Sequence, residues 1–280
     1  MRQDRLVCVI GTRRYAVERP WGRLPEGVSL GNKSKIACDS KGNVFLLQRT
    51  DPPVIVFDSE GNYLRSWGGD LLADAHGIFI DSGDRVWIVD RDSHQVLVCS
   101  ADGRLLWTLG ERHAPRTQAP FNHPTDVAVA PDGDIYVADG YANTCVHRFA
   151  SDGALKQSWG EPGSGPGQFT TPHGIRVLTD GRVLVGDREN DRVQVFSSDG
   201  RWLASWTGFF HPMDIHVDAE GLVYVSDQIP RVTVLRDDGS VVGRCRPVLM
   251  GGHGMTRDPA GNLYFCETRW PDLTKLTPID

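Results

Sequence analysis

The stretch PDGDIYVADGYANTCVHRFASDG, residues 131–153, shows the unit from which the whole chain is built. An Asp/Gly turn leads into an apolar strand that ends near Asp139, and a further strand, VHRF at 146–149, runs into a second turn at Gly153. Val, Ile and aromatic residues between Asp-Gly turns are typical of β-strands, and no long stretch of helical period occurs in the chain. The sequence therefore predicts an all-β protein.

This unit recurs six times, at intervals of about 40 to 50 residues. The first turns of the copies lie at 39–43, 81–85, 131–135, 179–183, 219–223 and 259–263. The third strands lie at 54–57, 96–99, 146–149, 193–196, 232–235 and 273–276. Four strands per unit at this period are the signature of a β-propeller blade. We therefore expect a single six-bladed β-propeller domain, NHL-like in its four-stranded blades, over residues 1–280.

The sixth unit is incomplete, because the chain ends at LTKLTPID without a fourth strand. A matching segment, YAVERPWG at 15–22, lies near the N-terminus and has the Trp-Gly ending that closes several other units. We expect this segment to supply the outer strand of the last blade. Such closure would hide the sheet edges that an open repeat exposes.

Composition and charge exclude several classes of protein. The net charge is −6 and no cluster of Lys and Arg stands out, which argues against a nucleic-acid surface. The apolar run near the N-terminus has six residues, too few for a signal sequence or a membrane span. The six cysteines lack CxxC spacing and are predicted to be buried thiols. We expect a cytoplasmic monomer without membrane or nucleic-acid partners.

One column of residues, at the start of each inner strand, carries a histidine in every second blade. Its members are Ser34, His76, Thr125, His173, Met213 and His253. Composition alone would place about 0.2 histidines in such a column. Alternate blades of a six-fold ring are 120° apart, so the three imidazoles can converge on the channel axis. That is the donor set of a catalytic zinc site, with the fourth position left for water or substrate.

Each of these histidines is followed by a glycine, Gly77, Gly174 or Gly254, which we expect to leave open space beside the metal. Other divalent transition metals would also suit imidazole ligands. The alternative is structural: the histidines could be polar plugs that bond to one another or to water in the channel.

The residues just past each second strand should lie on the same face as the histidines, because the strands within a blade are antiparallel. They are Arg49, Arg91, Tyr141, Arg188, Gln228 and Arg269. An arginine there can hold a substrate carboxylate, and a tyrosine beside a cation can act as a general base. Alternatively, the arginines pair with acids of neighbouring blades and Tyr141 caps a loop.

A second column, just before these positions, is acidic. We expect its members to be structural and to accept hydrogen bonds from backbone amides in the following turn. They are Asp90, Asp139, Asp187, Asp227 and Glu267.

The pattern IYVADGYANTCVHRF…GQF resembles NHL repeats. Together, HPTDVAV, YVADGYANTCVHRF, GPGQFTTPHGIRV and GDRENDRVQVF resemble the peptidyl-α-hydroxyglycine α-amidating lyase family, a likeness that extends from YAVERPWG to GNLYFCET. The resemblance implies a six-bladed propeller whose zinc ion is held by His76, His173 and His253. It implies that Tyr141 is the catalytic base, that Arg49 orients the substrate and that Arg188 supports the site. The family cleaves a C-terminal α-hydroxyglycine to a peptide amide and glyoxylate.

Some positions depart from the family pattern. An acidic residue that serves a structural calcium in the family is replaced by Gly254, so the resemblance does not extend to that calcium (Ca²⁺) site. Gly251 stands where the animal lyases have a methionine. Cysteines of the secreted lyases are replaced by Ala142, Leu184 and Val195. These departures favour a cytoplasmic relative that acts on a small molecule rather than on a secreted peptide.

Three functions remain open from the sequence. The first is a metal-dependent lyase that acts on a small hydroxylated substrate, carbinolamide-like and bearing a carboxylate. The second is a metallohydrolase such as a lactonase, in which metal-bound hydroxide attacks a carbonyl. The third is a non-enzymatic NHL propeller that binds a protein partner. Propellers serve many functions, so the site and not the fold has to decide among them.

Overall fold

In the computed structural model, which describes residues 6–279, six antiparallel sheets surround a central channel as the blades of a propeller. Within these residues the helical content is one turn of 3-10 helix at Arg188–Asn190. The predicted all-β, six-bladed propeller is therefore confirmed.

The blades follow one another along the chain, and their first strands line the channel. The N-terminal strands and blades one to three comprise β1 (Val7–Ile10), β2 (Arg13–Trp21), β3 (Lys33–Cys38), β4 (Val44–Gln48), β5 (Val54–Phe57), β6 (Tyr63–Trp67), β7 (Ala75–Ile80), β8 (Val86–Asp90), β9 (Gln95–Cys99), β10 (Leu105–Leu109), β11 (Asp126–Val129), β12 (Ile135–Asp139), β13 (Cys145–Phe149) and β14 (Leu155–Trp159).

A small parallel pair precedes blade four, and blades four to six complete the ring. These strands are β15 (Glu161–Pro162), β16 (Gln168–Phe169), β17 (Pro172–Val177), β18 (Val183–Asp187), β19 (Arg192–Phe196), β20 (Trp202–Trp206), β21 (Pro212–Val217), β22 (Val223–Asp227), β23 (Val232–Leu235), β24 (Val241–Cys245), β25 (Gly254–Arg257), β26 (Leu263–Cys266) and β27 (Leu273–Pro278).

The N-terminal segment closes the ring as the sequence predicts. Strand β2 pairs antiparallel with β27, so that Val17 lies opposite Leu276 and blade six gains its fourth strand. Strand β1 then pairs with the outer side of β2 and gives this sheet a fifth strand. The sequence did not predict β1, because it lies outside the repeated unit.

The hydrophobic core lies between the blades. Each of the six buried apolar clusters joins residues of two neighbouring blades, for example Phe45 of blade one with Ile78 of blade two. Strands packed on both faces need continuous apolar runs, which explains the fully buried sequence VIVF of β5. The protein thus has six similar apolar interfaces between neighbouring blades and no single central hydrophobic core among the described residues.

Tryptophans on the outer strands pack against turn glycines of the next blade. A Cβ atom on Gly200, whose φ is +76°, would lie 2.7 Å from the indole of Trp159. Trp21, on the N-terminal strand, contacts Gly61 of blade one in the same way. The closure of the ring therefore uses the same contact as the interfaces inside it.

The acidic column is structural, but its partners differ from the expectation. Each member accepts a hydrogen bond from an amide 17 residues earlier, in the loop that enters the blade, and not from the following turn. Gln48 fills the same position in blade one and accepts from the Gly31 amide at 2.8 Å. The entry loop and the end of the second strand lie on the same face of the propeller. A bond between them therefore fixes the position at which the inner strand begins.

All six cysteines are free, and Cys99, Cys145 and Cys266 are buried, whereas Cys8, Cys38 and Cys245 are half-buried. In the described part of the chain, no helix has the length and apolar character needed to cross a membrane.

The Trp–Gly contact predicts a difference between two glycines of blade four. Gly200→Ala should lower the free energy of unfolding by about 3 kcal/mol, through left-handed backbone strain and collision with Trp159. Gly181 has a similar φ of +85° but open space around it. Gly181→Ala should therefore cost only about 1 kcal/mol. Urea unfolding followed by tryptophan fluorescence measures both, and equal losses would contradict the packing argument.

Candidate metal centre

The three channel histidines converge as the sequence predicts. Potential ligand atoms of His76, His173 and His253 all lie within 4.8 Å of one another, and the three side chains are buried. Their ring centroids are 5.0, 5.1 and 5.3 Å apart, with planes at 75–80° to each other. Blades two, four and six thus place one imidazole each around the axis.

The neighbouring blade fixes the orientation of each ring. Nδ1 of His76 lies 2.7 Å from the Thr125 carbonyl, and Nδ1 of His173 lies 2.7 Å from the Met213 carbonyl. Nδ1 of His253 bonds to the carbonyl of Ser34 in the same way. A carbonyl oxygen only accepts, so Nδ1 carries the proton in all three rings. Each Nε2 therefore keeps its lone pair, as a metal ligand must.

The same burial keeps the imidazoles neutral. Desolvation, reinforced by the neighbouring histidine and by Arg49, holds the pKa of His76 well below its ordinary value. Desolvation, together with the proximity of His76 and His253, does the same to the pKa of His173. Desolvation lowers the pKa of His253 to about 4. Near neutral pH all three rings can therefore donate a lone pair.

The glycines after the histidines serve a different purpose from the one expected. They do not open space beside the axis. A Cβ atom on Gly77 would lie 2.7 Å from the Thr125 carbonyl oxygen, and one on Gly254 would lie 2.7 Å from Cα of Lys35. At Gly174 the nearest atom would be the Met213 carbonyl oxygen, at 3.2 Å. The missing side chains let neighbouring inner strands approach closely enough for the Nδ1–carbonyl bonds.

A layer of buried charges follows the histidines along the channel. Lys35 Nζ lies 2.5 Å from Asp126 Oδ2 and 2.7 Å from Asp214 Oδ1. Arg176 joins from blade four, with NH1 2.9 Å from Asp126 Oδ2. Burial alone would raise the pKa of Asp214, but Lys35 and Arg176 outweigh it and lower that pKa. Arg176 also lines a cavity of about 660 Å³ at the far end of the channel.

Tyr141 lies directly against the triad. Its Oη is 2.9 Å from Nε2 of His76 and 3.2 Å from Nε2 of His173. The guanidinium carbons of Arg91 and Arg188 each lie 5.4 Å from the centroid of the tyrosine ring. NH1 of Arg188 also donates to Oη at 3.4 Å. The structure therefore brings Tyr141 and Arg188 together with the three histidines.

Arg49 lies at the edge of the same group. Its Nε is 3.5 Å from Asp74 Oδ1, which is an ion pair without the geometry of a hydrogen bond. Both atoms are buried, and neither makes a hydrogen bond to another group. Asp74 also binds Arg91, with Oδ2 2.5 Å from NH2. Besides desolvation, which is the largest cause, the positive charge of Arg49 contributes to the lowered pKa of both His76 and His253. The other two positions of this column, Gln228 and Arg269, are exposed.

Two further residues belong to this group: Arg91, which the sequence named among the column candidates without an individual role, and Asp74, which the sequence did not predict. Arg91 has the same column position as Arg49 and Arg188, and that position was the available signal for its contact with Tyr141. Asp74 had no signal, because it lies in an entry loop outside both columns.

A second cluster of possible ligands lies in blade three, but its groups are already paired. Nε2 of His147 is 3.1 Å from Asp139 Oδ2 and 3.4 Å from the sulfur of Cys145. Asp139 also accepts from the Asn122 and Asn143 nitrogens, and burial raises the pKa of Cys145 to about 12. In blade four, Gln194 bonds to Asp187 from the corresponding position. The cluster of Asp139, Cys145 and His147 therefore belongs to the hydrogen bonds that hold the entry loop of blade three.

Comparison with known proteins gives the same resemblance as the motifs. The NHL repeat family matches residues 121–149 and 169–196. The chain is 35% identical over 212 residues to human NHL repeat-containing protein 3, covering 70% of this chain and 60% of that protein. It is 36% identical over 150 residues to a probable peptidyl-alpha-hydroxyglycine alpha-amidating lyase of Caenorhabditis elegans, covering 52% of this chain and 43% of that protein. The chain thus spans 60% and 43% of the lengths of these two relatives, less than two thirds of either.

Solved structures support the fold. A gluconolactonase from Xanthomonas campestris superimposes with a TM-score of 0.72 at 18% identity, covering 96% of this chain and 91% of that one. At this identity the likeness shows the propeller architecture alone.

The triad predicts a measurable metal site. Purified protein reconstituted with zinc should hold about one ion per chain by elemental mass spectrometry, and His173→Ala should lose it. His216→Ala is the control, because this half-buried histidine lines the cavity at the far end of the channel. Wild-type protein without bound metal after reconstitution would contradict the prediction.

Proposed function

We propose that this NHL-repeat propeller, which resembles the amidating lyases, is a metal-dependent lyase. Its substrate in this proposal is a small carbinolamide that bears a carboxylate. The observation that carries the proposal is the contact of the Tyr141 hydroxyl with two Nε2 atoms of a neutral histidine triad. A polar plug would need neither this hydroxyl nor the arginines beside it.

The residues present fit a zinc ion. Three neutral imidazoles with their Nε2 lone pairs facing the axis and their Nδ1 protons bonded to carbonyls are the usual donors of a catalytic zinc site. His76, His173 and His253 would hold the ion, and it would supply Lewis acidity toward the substrate hydroxyl.

Tyr141 is the proposed general base. From its position against the triad, the deprotonated Oη takes the proton of the substrate hydroxyl, and the guanidinium groups of Arg91 and Arg188 pack over the tyrosine ring and hold it in place. The electron pair of the broken O–H bond forms the carbonyl, and the carbon–nitrogen bond breaks. The same proton then passes to the departing nitrogen. The products are an amide and an α-keto or aldehyde acid such as glyoxylate, and no water is consumed.

Arg49 is the proposed anchor for the substrate carboxylate. Asp74 lies 3.5 Å from its Nε and holds the guanidinium by charge, and the terminal nitrogens of Arg49 are the proposed donors to the carboxylate. Arg188 supports Tyr141 through its contact with Oη. A cytoplasmic, monomeric protein that acts on a small molecule also remains our prediction.

The role of Tyr141 is tested with an N-acyl-α-hydroxyglycine as substrate. Tyr141→Phe should lower kcat by about 10²- to 10⁴-fold while zinc content is unchanged. Tyr63→Phe, which removes a hydroxyl bonded to Ser66 on an outer strand, is the control and should leave kcat as in the wild type.

Identification of the acyl product by mass spectrometry separates elimination from hydrolysis. Elimination leaves the acyl group as an amide, whereas hydrolysis of the amide bond would produce a new acid that contains solvent oxygen. Product acid, or full activity of Tyr141→Phe, would overturn the proposal.

The carboxylate anchor makes a prediction about KM. Arg49→Gln should raise KM for the carboxylate substrate about 10- to 100-fold, the worth of a hydrogen bond to a charged group. It should have little effect on an analogue whose carboxylate is replaced by an amide. Arg269→Gln, which changes an exposed arginine of the same column, is the matched control. An equal rise in KM for both substrates would show that Arg49 does not bind the carboxylate.

A further inference from the structure

We infer that Lys35, Asp126 and Asp214 are positioning residues that set the orientation of the histidine triad. They are called the ion layer below. This inference rests on the proposed metal centre, and it concerns residues that make no hydrogen bond to the Nε2 atoms, Tyr141 or Arg49. No ring nitrogen bonds to the ion layer, so its action passes through the backbone.

The first link is the set of carbonyls that accept the Nδ1 protons. These carbonyls belong to Ser34, Thr125 and Met213, which are the residues immediately before the three members of the ion layer. Lys35 Nζ joins Asp126 and Asp214 at 2.5 and 2.7 Å, so blades one, three and five are tied together at this height. A shift of any of these strands moves the carbonyl that orients a histidine.

The second link runs to the strands that carry the ligands. Asp126 Oδ2 accepts from the Ile175 amide at 3.0 Å, and Asp214 Oδ2 accepts from the Met255 amide at 2.9 Å. These amides lie two residues after His173 and His253. Each aspartate thus holds the strand that bears a ligand as well as the strand that orients it.

Blade one differs, since Lys35 is a cation and cannot accept the corresponding amide of blade two. Its ammonium instead joins the two carboxylates, and Arg176 binds Asp126 as well. Two buried cations, Lys35 and Arg176, therefore face two buried carboxylates, so Arg176 balances the charge of the ion layer. If the ion layer only stabilised the fold, its three residues would not all have to follow directly the residues whose carbonyls orient the histidines.

The test is the charge-balanced double variant Lys35→Met with Asp214→Asn, which removes one cation and one anion. Zinc affinity measured by chelator competition should fall about 10- to 100-fold, the usual effect of losing groups behind metal ligands. The visible absorption of the cobalt-loaded protein should also change, because ring orientation sets the coordination geometry. A loss of stability alone would alter neither quantity in protein that is still folded.

Lys33→Met is the matched control. Lys33 is a fully buried lysine on the same strand, but its ammonium bonds to the carbonyls of Trp270 and Pro271 and not to the ion layer. Its zinc affinity and cobalt spectrum should match the wild type. Should the double variant not fold, Asp126→Asn provides the same comparison, because the amide keeps the shape of the side chain and removes the charge that faces Lys35.

A measurement without metal separates this inference from the proposed function. Long-range ¹⁵N NMR of the metal-free protein should show the Nδ1–H tautomer for the three histidines in the wild type and mixed tautomers in the variant. Wild-type affinity, cobalt spectrum and tautomers in a folded variant would overturn the inference and leave the lyase proposal intact. A wild type that binds no zinc would overturn the lyase proposal, and the tautomers would still decide whether the ion layer orients the rings.

Discussion

The close approach of neighbouring inner strands at the channel is the constraint on which the rest of the site depends. Gly77, Gly174 and Gly254 have backbone atoms of the next blade where a side chain would begin. This proximity brings each Nδ1 within reach of a carbonyl and leaves each Nε2 facing the axis. The six-fold ring therefore divides into two sets of blades, one that carries histidine and glycine and one that carries carbonyl acceptors and charges.

The fold could be predicted because the repeat is encoded in local turn chemistry. Asp/Gly turns at regular spacing indicate the blades without knowledge of any long-range contact, and the missing outer strand of the last unit indicates the closing segment. The histidine column was equally accessible, since the order of the blades fixes the angle of each residue around the ring.

Other features could not be predicted because they depend on distances between blades. The acceptors of the Nδ1 protons are backbone carbonyl oxygens, which every residue type has, so the sequence does not reveal them. Lys35, Asp126 and Asp214 occupy one column of the repeat. Because a lysine and two aspartates have opposite charges, the column shows no common residue type that would mark it as a functional group. Asp74 lies in an irregular loop, and the acidic column turned out to bind the entry loop rather than the turn, a choice that only the chain path decides.

The way the ring is closed has a consequence for how the site comes into being. Residues 17 and 276 are paired, so this contact closes almost the entire chain as one loop, at a conformational entropy cost of about 5 kcal/mol. His253 stands at the start of blade six, whose sheet is complete only after β2 has docked. Two ligands therefore belong to blades whose four strands are consecutive in the chain, and the third belongs to the blade whose sheet needs β2 from the other end of the ring. A metal bound by all three would be linked thermodynamically to the completed ring, and its affinity would add to the cooperativity with which the propeller holds together.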